Sequence, residues 1–191
     1  MSAMEPVEIA AGKYQLRPWN MQDVEAARVA LEDPDIQRWR APRPPGDDDG
    51  TWRDPKAWLA KRVGFWAEGK HACFIIMDAV TGAVLGDVSI QHIDTHLRTA
   101  EVGYWLMPEA RGAGVATHGV ATASRWAFGA LGIHRLTLIH AAPNTASCAV
   151  ANRTGFALEG VMRDGSVGPD GRHHDEHLHA RLATDPPVPA A

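Results

Sequence analysis

Arg111-Gly112-Ala113-Gly114-Val115-Ala116 lies between two different periodicities. Before it, Glu101-Val102-Gly103-Tyr104-Trp105-Leu106-Met107 alternates as a strand does. After it, an Ala-rich helical pattern runs to Gly132, with Ala116, Val120, Ala123, Ala127 and Leu131 on one stripe. A strand, a short glycine loop and a helix start leave main-chain amides without intrahelical partners at the positive end of a helix dipole. That is an arrangement for holding phosphate. Gly112 and Gly114 let a ligand come close to the backbone, and Arg111 adds a fixed cation able to pair with phosphate oxygens. Two familiar nucleotide loops do not fit. A P-loop needs Gly-Lys followed by Ser or Thr, which Gly114-Val115-Ala116 lacks, and a dinucleotide loop needs Gly or Ala where Thr117 stands.

Working outward, the strand before the loop has two faces. Ala100, Val102, Tyr104 and Leu106 share one; Glu101, Gly103, Trp105 and Met107 share the other. Glu101 therefore stands beside Trp105, with Gly103 leaving a gap between them that another group can enter. Beyond the helix, Arg135–His140 reads as a strand. A strand–helix–strand crossover is right-handed and makes its two strands parallel, which puts the glycine loop at their carboxyl ends, where ligands bind in such sheets.

The rest of the chain reads as one ordinary domain. Its 191 residues are long enough to bury a core, and 45% hydrophobic with 22% charged residues is a globular composition. A net charge of −4 gives no electrostatic case for nucleic acid or an anionic membrane. No apolar run approaches the ~20 residues of a membrane span, and the start of the chain does not read as a signal peptide. Cys73 and Cys148 fit neither a zinc spacing nor a disulfide framework, so buried free thiols in a reducing, cytoplasmic setting are expected. Residues 1–12 read as a flexible start, 13–183 as the domain, and 184–191 as a disordered Pro/Ala tail.

In order, Tyr14–Trp19 alternates as a strand, and Asn20 or Asp23 can cap a helix over about Met21–Glu32. Residues 40–54 form a Pro-, Arg- and Asp-rich loop flanked by Trp39 and Trp52, read either as a solvated connection or as a flap facing substrate. Pro55 opens a helix to about Glu68, closed by Gly69. Cys73–Met77 and Ala83–Ile90 make an antiparallel hairpin about Thr81-Gly82. Asn144-Thr145-Ala146-Ser147 begins a helix that ends at Gly155, and Phe156–Val161 pairs with about Arg172–Arg181. His134 and the group His173, His174, His177 and His179 are assigned surface or packing roles rather than a metal, since alternation puts only some of them on one face and no cysteine partners them.

The loop matches the pattern Arg/Gln-x-x-Gly-x-Gly/Ala at Arg111, Gly114 and Ala116, and so resembles the pyrophosphate loop of the GCN5-related N-acetyltransferases (GNAT). Leu16-Arg17-Pro18-Trp19, Asn144-x-x-Ser147, Gly155-Phe156 and Gly160-x-x-Arg163 resemble the RimJ/RimL-type subgroup, in family order, from about residue 14 to 182. The resemblance implies a mixed α/β fold: a mostly antiparallel twisted sheet of about six or seven strands with one splayed parallel pair, flanked by about four helices. It implies acetyl-coenzyme A as co-substrate and no metal. It implies cofactor contacts at Leu106, Met107, Arg111, Gly112, Ala113, Gly114, Val115, Ala116, Asn144 and Ser147. Glu101, in the matching Glu-x-Gly-Tyr-Trp position, would be the base, directly or through water, and Ser147 would assist the leaving thiolate. Many relatives place a Tyr in the helix after the Asn for that last task, and this chain has no Tyr after Tyr104. Trp39, Trp52 and Trp105 are candidate acceptor contacts.

Attack of an amine on a thioester needs a neutral amine. A lysine amine has pKa ~10.4 and an α-amine ~7.7, so neutralising the lysine at pH 7 costs roughly 3.7 kcal/mol more. One modest base therefore suits a protein or peptide α-amine. A small amine such as a polyamine or antibiotic, another acyl group such as succinyl, and a coenzyme A-binding module without turnover are the alternatives. The resemblance leaves a homodimer open.

Overall fold

The computed structural model describes residues 3–39, 51–168 and 171–188. Strand β1 (Ile9–Ala11) is followed by β2 (Tyr14–Pro18), a 3-10 turn (Met21–Asp23), α1 (Val24–Glu32) and α2 (Pro34–Trp39). A second 3-10 turn (Thr51–Arg53) leads into α3 (Pro55–Glu68), then β3 (Ala72–Asp78), β4 (Val84–Asp94) and β5 (Thr99–Leu106). A third such turn (Pro108–Ala110) precedes α4 (Val115–Gly129), β6 (Arg135–Ala141), α5 (Thr145–Arg153), β7 (Ala157–Val167) and β8 (His173–Leu182). The eight strands form one sheet in the order β1-β2-β3-β4-β5-β6-β8-β7.

Every neighbouring pair is antiparallel except β5 and β6, which run parallel as the crossover through α4 requires. Their pairing covers only Thr99↔Arg135, Ala100↔Leu136 and Glu101↔Thr137. Past Glu101 the two strands part while both continue, β5 to Leu106 and β6 to Ala141. This opens a cleft through the middle of the sheet. The start read as flexible contains a strand: β1 zips Ile9–Ala11 onto Leu16–Tyr14, so part of residues 1–12 belongs to the sheet.

The two faces are covered differently. α4 packs on the face carrying Phe74, Ile76, Val88, Ile90, Val102, Leu136 and Leu138, all buried. Its Gly119 lies so close to the sheet that a Cβ there would come within 2.6 Å of Ile76 Cδ1. On the other face Ala27 of α1 and Leu59 of α3 pack with Trp19, Cys73 and Ile75. Local signals set the boundaries. Asp54 caps α3 by accepting from the Lys56 amide ahead of Pro55, and Gly69 ends it at φ 71°.

One charged pair is buried beneath that second face. Asp87 on β4 is 1% exposed, takes both its oxygens to Arg62 Nη2 at 2.6 Å, and accepts from Trp19 Nε1 at 2.6 Å. The Arg62 guanidinium also lies over the Trp58 ring, 4.5 Å from its centroid. Among the described residues, no helix is long and apolar enough to cross a membrane.

Candidate active site

The glycine loop sits at the mouth of the cleft. Gly112 and Gly114 both take left-handed backbone, φ 75° and 79°, which glycine adopts without cost. Gly114 is the N-cap of α4, and no side chain caps that end. The first intrahelical bond is His118 N to Gly114 O, at 3.1 Å, so the first-turn amides before it lack helical acceptors. A Cβ at Gly112 would meet nothing within 4 Å, and one at Gly114 only the His118 ring at 3.9 Å. Ala113 is exposed; Val115 and Ala116 are buried and anchor the turn in the core. These features suit the diphosphate of a coenzyme A-type ligand.

Arg111 has partners already. Its Nη1 donates to Asp35 and its Nη2 to Asp33, each at 2.8 Å, and Nη2 also reaches the Leu106 carbonyl at 3.3 Å. The guanidinium thus ties the loop to the region joining α1 and α2. Asp33 also accepts from the Ile36 amide, and despite burial these bonds hold its carboxyl below the ordinary range. Met107 is buried and its amide donates to the Leu85 carbonyl at 2.9 Å, so that amide is occupied within the sheet.

Inside the cleft, the structure joins two residues that the sequence had not linked. The Tyr104 hydroxyl lies 2.9 Å from Ser147 Oγ, bridging β5 and the first turn of α5. Burial raises the Tyr104 phenol above its ordinary value, against the hydrogen bond from Ser147, which lowers it. Ser147 is 8% exposed. Asn144 is the N-cap of α5, its Oδ1 accepting from the Ser147 amide at 3.2 Å, which fixes the serine's place. A tyrosine hydroxyl thus stands beside Ser147 from the strand, where the helix after Asn144 offers none.

Glu101 leaves the opposite face of β5 from Tyr104, by the alternation of the strand. Burial raises its carboxyl pKa, His92 opposes that, and Glu176 of β8 adds to it. The gap over Gly103 is filled by Gln91, whose Nε2 would lie 2.5 Å from a Cβ built there and which donates to Ser89 Oγ at 2.7 Å. Gln91 also pairs across the strands with Glu101. The sequence does not link Gln91 to Glu101; the β4–β5 register does.

Trp105 is half-buried against Trp19, with ring centroids 6.0 Å apart. Trp39 ends α2, 39% exposed, with the Arg38 guanidinium 4.9 Å from its ring. Trp52 lies in the second 3-10 turn, and its side chain is outside the described residues, as are residues 40–50 of the proposed flap.

The histidines separate. His134 and His173 are exposed, whereas His177 and His179 of β8 gather with His140 of β6 and Cys148 of α5, their donor atoms all within 4.8 Å of one another. The ground that no cysteine partners these histidines does not hold in space, since Cys148 lies beside this pair. Cys73 is buried, its thiol pushed up to about 11 by burial, while Cys148 is only half-buried.

Comparison with known proteins agrees with this geometry. The acetyltransferase (GNAT) domain family matches residues 13–157. The chain belongs to the GNAT family. It is 37% identical over 94 residues to the "Putative ribosomal N-acetyltransferase YdaF" of Bacillus subtilis (strain 168), covering 49% of this chain and 51% of that protein. The chain thus spans about half the length of that curated relative. RimJ of Mycobacterium smegmatis, in complex with CoA-disulfide, superposes with a TM-score of 0.79 at 28% identity, over 98% of this chain and 91% of that one. The ribosomal-protein-S5-alanine acetyltransferase of Vibrio fischeri shares the fold, with a TM-score of 0.80 at 23% identity over 94% and 98% of the two chains. Among the described residues, the GNAT fold has here an eight-stranded sheet with one parallel pair and five α-helices.

Proposed function

We propose that this GNAT protein moves an acetyl group from acetyl-coenzyme A to the α-amine of a protein or peptide N-terminus, by direct attack in a ternary complex. The observation that carries the reading is the Tyr104–Ser147 hydroxyl pair, 2.9 Å apart where β5 and β6 part, with Glu101 on the other face of β5. Bound acetyl-coenzyme A supplies an activated acyl group. The amides of residues 112–117 bind the diphosphate, and the open backbone at Gly112 and Gly114 admits it. Arg111 holds the loop in shape through Asp33 and Asp35.

Glu101 takes a proton from the incoming amine, directly or through water, helped by a carboxyl pKa that burial raises. The Tyr104 and Ser147 hydroxyls hold a proton at the place where thiolate charge develops. Gln91 and Trp105 shape the acceptor side beside Glu101. Much of the rate comes from holding both reactants in register. The acceptor class rests on the ribosomal N-acetyltransferase name of the Bacillus subtilis relative and on the lower cost of neutralising an α-amine. Such an acceptor places the protein in the cytoplasm.

Free-thiol release from acetyl-coenzyme A, measured over peptides with free N-termini, lysine peptides with blocked N-termini, polyamines and aminoglycosides, tests the proposal. Turnover with the free N-terminal peptides is expected. Turnover confined to small amines would overturn the acceptor class, and tight coenzyme A binding without turnover on any amine would make the protein a binding module.

A further inference from the structure

His140, Cys148, His177 and His179 bring three imidazoles and a thiol together from three elements, β6, α5 and β8. The β6–β8 register places His140 opposite His177 and Leu138 opposite His179. His140 is 7% exposed and His179 0%. The hydrogen bonds of these two rings fix their tautomers. His140 Nδ1 lies 3.0 Å from the Ala141 carbonyl and His179 Nδ1 lies 3.2 Å from the Phe156 carbonyl. A carbonyl can only accept, so both Nδ1 atoms carry hydrogen. Two neutral rings then aim their Nε2 lone pairs at each other, 3.3 Å apart.

Two lone pairs at that distance repel unless a cation lies between them. A third donor stands by: His177 Nδ1 is buried without a hydrogen-bond partner. The half-buried Cys148 thiol has only a weak contact from Asn152 Nδ2, at 3.8 Å. Two nitrogens bound about 2.0–2.1 Å from a tetrahedral zinc lie roughly 3.3 Å apart, the spacing found between the two Nε2 atoms. The Nδ1–carbonyl bonds are the outer-shell contacts that orient metal-bound histidines, and a thiolate would offset part of the charge of a dication.

We propose that His140, Cys148, His177 and His179 form a tetrahedral three-histidine, one-cysteine site for a divalent metal, with zinc as the fitting ion, that clamps α5 to β6 and β8. Four protein donors fill the coordination sphere, so the ion is structural and takes no part in acyl transfer. Its effect falls on α5, where Cys148 follows Ser147 in sequence. The inference does not depend on the acceptor or on turnover.

The test uses the full chain stripped with chelator and dialysed. Zinc is titrated in competition with a chromophoric chelator, and cobalt serves as a spectroscopic probe. Expected are one zinc per chain, a rise in Tm on adding it, and a cobalt complex with a thiolate charge-transfer band. Cys148→Ser should abolish that band, and His177→Ala should weaken zinc binding by at least about tenfold, the least seen for loss of even an outer-shell contact. Both residues are only half-buried, so the metal-free melting curves of the two variants should match that of the parent. No binding at one equivalent would overturn the proposal and leave the two Nε2 atoms sharing a proton. Binding that survives both substitutions, or a cobalt complex without the thiolate band, would place the ion on other histidines and equally overturn it.

Discussion

Glu101 and Tyr104 leave opposite faces of one strand, and the role proposed for each makes a separate prediction. Glu101→Gln should lower kcat by roughly 10²–10⁴, the range for loss of a general base, while coenzyme A affinity by calorimetry stays nearly constant. Burial holds this carboxyl above its ordinary 4.5, with Glu176 adding and His92 opposing. The acid limb of kcat/KM in the parent should therefore lie above the usual carboxylate range, and the Gln variant should lack it. The same raised pKa has a stability consequence. The folded chain holds that proton more tightly than the unfolded chain, so this group's contribution is full below the ordinary value and is lost as pH rises through the folded one. Glu101→Gln should accordingly raise Tm at neutral pH. For the hydroxyl pair, Tyr104→Phe and Ser147→Ala should each slow turnover, and the double variant should be no slower than the worse single one, since they act as a unit. Fully additive losses would show that the two hydroxyls work apart. Family spacing pointed to Glu101 and Ser147 in the sequence. The sequence did not link Tyr104 to Ser147, because alternation along β5 groups Tyr104 with Ala100, Val102 and Leu106 and shows nothing of a cleft that exists only where β6 departs.

At the level of elements, caps and turns were the most legible features because their causes are local. Pro55 and Gly69 bound α3 as read, Asp54 adds a cap that the structure shows, and the glycine loop starts α4 as read. Less legible was whatever depends on partners far along the chain: β1 needs β2 beside it, and the histidine–cysteine group needs β8 laid against β6 with α5 above. His177 and His179 share a face by simple alternation, but nothing in their own segment points to His140 or Cys148. Two changes test the elements at the site. Gly114→Ala forces a residue with a Cβ into φ 79°, a cost of roughly 1–2 kcal/mol. It should raise the KM for acetyl-coenzyme A more than it lowers kcat. Asn144→Ala removes the cap of α5 and should cost about 1 kcal/mol in denaturant unfolding. Because that cap fixes the Ser147 amide, kcat should fall as well.

Across the whole molecule, one buried ion pair joins α3 to the centre of the sheet. Asp87 lies at 1% exposure against Arg62 and Trp19, and removing either charge strands the other in the core. Asp87→Ala should lose about 3–5 kcal/mol, or roughly 10 °C or more in Tm. Replacing the pair together, Arg62→Met with Asp87→Leu, should recover much of that loss, because no lone charge remains. Neither residue announced this from sequence, since a charged residue on a strand reads as exposed until the helix above it is placed.

The parting of β5 and β6 gives the sheet an opening with two ends. On the proposed function, the nucleotide would enter beside the glycine turn and the amine from the side of Glu101 and Trp105. Each product can then depart by its own route. The acetylated peptide should inhibit noncompetitively against acetyl-coenzyme A, and an enzyme still holding its spent thiol should already accept the next amine.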